Sequence, residues 1–145
     1  MSLASTLIVG VQVAGVTMTV LALGHVYIAK LLNWKEDLKN LTPINEQVFY
    51  AHTLFIANGL LLLGLVLIFV PSVLVDRTLL AMIADGCFAL CWLVRLIFQF
   101  ACFTGKVHDN KMIDSGLRIL GTLLWTFYTV LFTSLFLYQY GVLNG

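Results

Sequence analysis

Trp92-Leu93-Val94-Arg95-Leu96-Ile97-Phe98-Gln99-Phe100 is the stretch whose reading decides the fold. It lies inside an apolar run, Leu79 to Phe103, that is long enough to cross a bilayer. A guanidinium at such depth costs at least ~3 kcal/mol on insertion scales, so Arg95 must face protein or water rather than lipid. Written as heptads, Asp85, Trp92, Gln99 and Lys106 share one seam position, and Phe88, Arg95 and Cys102 share the other. The strongly polar residues of the span therefore fall on one stripe, the stripe that meets other helices.

Working outward, the 145 residues are 61% hydrophobic and 10% charged, with a mean hydropathy of +0.99. That composition belongs to an integral membrane protein and not to a soluble domain. Each helical crossing takes about 20 apolar residues. Four spans, at about 3–32, 43–70, 79–103 and 112–140, use up the chain and leave a single transmembrane domain. The net charge of +1 provides no electrostatic case for nucleic acid. The first span is expected to stay in the protein, because its apolar run is too long for a signal peptide and no small-residue cleavage site follows.

In span 1, Val11, Gly15, Met18, Ala22, His25 and Ala29 form one stripe. Its small residues allow two backbones to approach closely, and His25 points with them into the bundle. The segment Asn33 to Leu41 carries Trp34, Leu38 and Leu41 at helical spacing among charges, which predicts a short helix lying in the membrane interface. Thr42-Pro43 opens span 2, with Thr42 as the expected N-cap and Pro43 at the first helical position. Asn45, His52 and Gly59 recur every seven residues along it and predict its packing stripe, and Asn58 near the middle calls for an interhelical partner. Span 4 repeats Asp114, Arg118, Gly121, Trp125, Tyr128, Phe132, Leu135 and Gln139 by fours and threes, a helix packed along its whole length. Thr122, Thr126, Thr129 and Thr133 adjoin that seam, each able to bond back to its own helix. The short loops predict an all-α, left-handed, antiparallel four-helix transmembrane bundle in up-down-up-down order.

Basic residues set the expected orientation. Lys30, Lys35, Lys39, Lys106, Lys111 and Arg118 flank the first and third loops, whereas Arg77 alone flanks the second. The positive-inside rule then puts loops 33–42 and 104–111 in the cytoplasm and both termini on the far side.

On this topology all four helices carry a polar side chain at a similar depth of the cytoplasmic half, His25 being about 10 Å deep at 1.5 Å per residue. The candidate site is His25, His52, Arg95, Gln99, Asp114 and Arg118. The plainest reading is polar glue: Asp114 and Arg118 pair at i,i+4, Arg95 bonds Asp114, and the histidines bond hydroxyls or carbonyls. A redox reading has His25 and His52 as the two axial metal ligands of a b-type haem, with Arg95 and Arg118 on its propionates. The same shell without iron could hold a quinone. A third reading is a cationic pocket for a lipid phosphate headgroup. No acidic pair or serine nucleophile accompanies these residues, so no catalytic residue is assigned and an enzyme is the lesser expectation. Asp85 and Asn58 lie away from the cluster, Asp85 as an acceptor for a hydroxyl or amide of a neighbouring helix. His108 is a loop bystander, and Cys87, Cys91 and Cys102 read as small hydrophobes at helix contacts. The long leucine and phenylalanine faces of spans 2 and 3 must meet lipid or protein, which favours a subunit of a larger membrane assembly, or a homo-oligomer, over a solitary enzyme.

The stretches Leu32 to Leu38, Thr42 to His52 and Trp92 to Phe100 together resemble small four-span bacterial integral membrane proteins of no assigned function. The resemblance covers about half the chain, with Arg95, Gln99 and Phe100 its more specific part. It implies a multi-pass protein of the bacterial inner membrane and no particular activity.

Overall fold

Four long helices account for most of the chain: α1 (Leu3–Leu31), α3 (Pro43–Phe69), α5 (Leu79–Ala101) and α6 (Lys111–Tyr140). The computed structural model describes residues 2–102, 105 and 110–142, and among these the protein is all-helical, with no strand. Two single-turn helices, α2 (Trp34–Asp37) and α4 (Ser72–Val75), and a 3-10 turn (Leu38–Asn40) fill the connections. The four long helices have 29, 27, 23 and 30 residues and are each apolar enough to cross a membrane. Even the shortest reaches about 35 Å at 1.5 Å per residue, against a hydrocarbon core of about 30 Å.

The helix ends follow local chemistry. Pro43 stands in the first turn of α3, where its missing N–H costs nothing, but the Thr42 hydroxyl makes no capping bond. The other three long helices carry side-chain caps, with Ser2 accepting from the Ser5 N–H at 3.2 Å on α1. Thr78 accepts from the Ala81 N–H at 3.1 Å, and Asn110 accepts from the Met112 and Ile113 N–H groups at 2.9 and 3.4 Å. Gly141 closes α6 at φ 86°, where its N–H reaches the Leu137 and Tyr138 carbonyls. That left-handed position suits a residue without a Cβ.

The chain divides into two compact units, one of Met1–Val11 with Pro71–Gly145 and one of Gln12–Val70. In the first, α5 and α6 pair along their length in opposite chain directions. Asp85 meets Gln139 at one end, Phe88 meets Phe132 and Trp92 meets Tyr128 in the middle, and Gln99 meets Trp125 towards the other end. These are the two seams read from the heptads. Tyr128, Phe132 and Leu135 are fully buried, with Trp92 and Trp125 nearly so.

In the second unit α1 and α3 approach at glycines. A Cβ added to Gly15 would lie 2.7 Å from the Gly64 carbonyl oxygen, and one added to Gly64 would lie 2.5 Å from Thr19 Oγ1. Backbones this close need residues without side chains. The span 1 stripe is buried at Gly15, Met18 and Ala22 and half-buried at His25 and Ala29. Span 2 differs from expectation, because Asn45, His52 and Gly59 are all exposed. The less exposed stripe of α3 is Phe49, Thr53, Ala57, Leu60, Gly64 and Leu67. On a helix apolar nearly all round, small residues marked the packed face and the few polar ones did not. Asn58 is likewise exposed, and Cys87, Cys91 and Cys102 are exposed free thiols and not contact residues.

Candidate functional site

Of the six candidate residues, Arg95 and Gln99 meet one helical turn apart on α5. Arg95 Nη1 donates to Gln99 Oε1 at 3.3 Å, and the indole Nε1 of Trp125 donates to the same oxygen at 3.3 Å. The guanidinium carbon sits 4.6 Å from the centre of the Trp125 ring, and Trp125 stacks on Trp92 at 5.4 Å and 11°. Tyr128 closes the group at 4.5 Å from Trp92. A cation over the negative face of an indole is attracted by the ring quadrupole, more so out of water. Gly121 makes room for it, since a Cβ there would come within 3.3 Å of Trp125 Nε1. The charge that had to avoid lipid is thus held against α6 by an amide and an aromatic stack.

Trp125 and Tyr128 are not among the six residues that spacing and depth single out, although both stand on the span 4 seam. Pairing the two seams in opposite directions brings Trp92, Arg95 and Gln99 opposite Gly121, Trp125 and Tyr128. That alignment was the available signal.

Asp114 and Arg118 pair as expected at i,i+4, with Arg118 Nε 3.0 Å from Asp114 Oδ2 and both side chains partly buried. Arg118 Nη2 also donates to the Gly105 carbonyl. Thr122 and Thr129 bond back to the Arg118 and Trp125 carbonyls at 2.9 and 2.7 Å, whereas Thr126 and Thr133 are exposed. Lys106 and His108 lie outside the described residues.

The histidines belong to the other unit, and each bonds its own helix. His25 Nδ1 is 2.7 Å from the Leu21 carbonyl, and His52 Nδ1 is 3.0 Å from the Val48 carbonyl. A carbonyl only accepts, so Nδ1 carries the proton in both rings and Nε2 is the nitrogen left as an acceptor or ligand. His25 is half-buried and His52 is exposed, which corrects the expectation that both point inward. Among the described residues no three His, Cys, Asp or Glu side chains group as metal ligands.

At the opposite end of the α5–α6 seam, Asp85 is completely buried. It accepts from the Gln139 amide at 2.6 Å, the bond to a neighbouring helix that its position called for. The same Gln139 nitrogen donates to the Leu74 carbonyl at 2.5 Å, linking α4 to α6. Beside it, Arg77 stacks over the Tyr138 ring at 4.5 Å.

The chain matches no protein-family model, no curated protein and no solved structure.

Proposed function

We propose that this chain is a small multi-pass membrane protein acting as an accessory or structural subunit, within a larger membrane assembly or one built of its own copies. In this reading the four long helices form one left-handed antiparallel bundle over residues 1–145. The Trp34–Asn40 segment lies in the interface, loops 33–42 and 104–111 face the cytoplasm of a bacterial inner membrane, and both termini face the other side. The observation that carries the reading is how the polar residues of α5 and α6 are spent. Arg95 is engaged with Gln99 and Trp125, Arg118 with Asp114, and Asp85 with Gln139. Groups committed to one another in this way fix which helix faces meet. The outward face of α3, with Leu54, Phe55, Leu62 and Phe69, is suited to lipid or to another apolar helix.

The test is cross-linking in intact membranes followed by purification in mild detergent. A reproducible co-purifying chain or a defined oligomer is expected, and a monomer alone overturns the reading. Orientation is checked with single cysteines at Lys39 or Lys111 in a background lacking Cys87, Cys91 and Cys102. Labelling of either by an impermeant reagent added to intact cells overturns it.

A second reading is b-type haem or quinone binding, which the orientation of each histidine ring supports and the exposure of His52 counts against. With both Nδ1–H groups given to helix carbonyls, His25 and His52 each present the Nε2 lone pair that an axial ligand uses, with the ring already oriented. Purified protein would then show a Soret band that shifts on dithionite reduction and is lost in His25→Ala. Colourless protein from haem-replete cells overturns the haem form, and solvent extraction with mass spectrometry tests the quinone form.

A further inference from the structure

Asp85 is the one polar or charged side chain completely buried among the described residues. Both hydrogens of the Gln139 amide nitrogen are used, one on Asp85 Oδ2 and one on the Leu74 carbonyl. Two buried oxygens of the same pair, Asp85 Oδ1 and Gln139 Oε1, have no partner. Among the described residues no ion pair reaches Asp85, and the ion pairs there lie elsewhere, at Lys39–Glu36 and Arg118–Asp114.

The surrounding elements offer Asp85 no compensating charge. From the α4 side the charged groups are Asp76 and Arg77, both exposed, with Arg77 placed over the Tyr138 ring. From α6 the titratable groups at this end are Tyr138 and Tyr140. Residues 3–11 of α1, in the same unit, contain none. On α5 itself Cys87 and Cys91 are exposed, and Arg95 is ten residues on, about 15 Å along the helix. An isolated carboxylate in such a place is strongly disfavoured. A bound metal cation would need several more oxygens than the two orphans supply. A proton on Oδ1 turns one of the two orphan acceptors into a donor.

We propose that Asp85 is a proton-binding site: Oδ1 carries a dissociable proton donated to Gln139 Oε1, and the resulting acid–amide pair with the Leu74 carbonyl ties α4 to α5 and α6. A mainly apolar cavity of about 270 Å³ lies beside the pair without being lined by Asp85 or Gln139. It is lined by Leu74, Asp76, Thr78, Ala81 and Ala84. It thus shares Leu74 with the pair, touches α5 at the residue before Asp85 and one turn earlier, and reaches the exposed carboxylate of Asp76. Proton release transfers H⁺ from Oδ1 to water and leaves a buried carboxylate that accepts from the Gln139 N–H. The bond lost on release is the one from Asp85 Oδ1 to Gln139 Oε1, between α5 and α6. This inference does not depend on the subunit reading.

The experiment is infrared spectroscopy of the purified full chain in lipid nanodiscs over a pH titration, in sodium and in choline buffers. A protonated carboxyl C=O stretch is expected that shifts in D₂O, converts to carboxylate bands at high pH and is lost in Asp85→Asn. That variant keeps a donor for Gln139 Oε1, so it should fold and lose the pH dependence. Gln139→Leu should move the stretch to the frequency of a carboxyl lacking a hydrogen bond. Should Asp85→Asn not fold, Gln139→Leu carries the assignment, and an unmoved stretch there overturns the proposal. Carboxylate bands for Asp85 at every pH, or a spectrum that follows sodium rather than protons, also overturn it.

Discussion

The α5–α6 pair and the α1–α3 contact solve the same problem by opposite means. In a bilayer, helices gain little from hiding apolar surface, so association rests on close packing and on bonds between helices. α5 and α6 use large groups: two stacked tryptophans, a tyrosine, and a cation held over an indole. α1 and α3 use the absence of groups, with Gly15 and Gly64 bringing backbone against backbone. The first interface should fail when a side chain is removed, and the second when one is added.

The largest expected effect is in the first. Trp125→Ala removes the stack on Trp92, the platform under Arg95 and the donor to Gln99 together, and should cost about 3–5 kcal/mol. Unfolding in mixed micelles, or steric trapping in bicelles, measures it. A cost below about 1 kcal/mol would mean that the aromatic column does not hold the pair.

The second interface sharpens the comparison with smaller changes. Gly15→Ala and Gly64→Ala each place a methyl group against backbone that cannot rotate away, and each should cost about 1–3 kcal/mol. Gly24→Ala and Gly59→Ala, where an added Cβ meets nothing within 4 Å, are the matched controls. There the gain in helix propensity should leave stability unchanged or raised by up to about 1 kcal/mol. If all four variants behave alike in the same unfolding assay, the close approach of α1 and α3 is not what holds that unit.

How much of this is legible in the sequence depends on how sharply each helix distinguishes its faces. On α5 and α6 the polar and aromatic residues recur with the heptad, so Asp85, Trp92, Gln99, Trp125 and Gln139 fell on the right seams from spacing alone. The partnership of Arg95 with Trp125 was not legible, because spacing within one helix says nothing of register between two. On α3 the sequence is apolar all round, and three residues at a spacing of seven, Asn45, His52 and Gly59, suggested a face that is exposed. Ala57 and Gly64, also seven apart, carried the correct signal, and the small-residue rule applied to α1 would have found them. The capping role of Thr42 was misread for a related reason: a suitable residue before Pro43 does not ensure that its hydroxyl turns toward the helix.

A single bond in the first interface tests how far its polar part matters beside its aromatic part. Gln99→Leu removes the acceptor shared by Arg95 Nη1 and Trp125 Nε1 while keeping the volume. Hydrogen bonds between membrane helices average about 0.6 kcal/mol and reach about 1.7, so a cost near 1 kcal/mol is expected. The indole fluorescence of Trp125 should also shift as its N–H loses its partner. A cost as large as that of Trp125→Ala would mean that the amide, and not the stack, positions the arginine.

The smallest expected effect is at His52, where sequence pattern and structure disagree. An inward-facing histidine that bonds between helices would lose about 1–2 kcal/mol on replacement by alanine. The structure gives the ring a bond only to the Val48 carbonyl of its own helix and leaves the side chain exposed. His52→Ala should therefore change stability by no more than about 0.5 kcal/mol, as exposed substitutions do. His25→Ala, on the half-buried stripe of α1, should cost more than His52→Ala in the same assay. Equal and substantial losses at both positions would put His52 on a packed face after all, and would restore the heptad of Asn45, His52 and Gly59 as the stripe by which α3 associates.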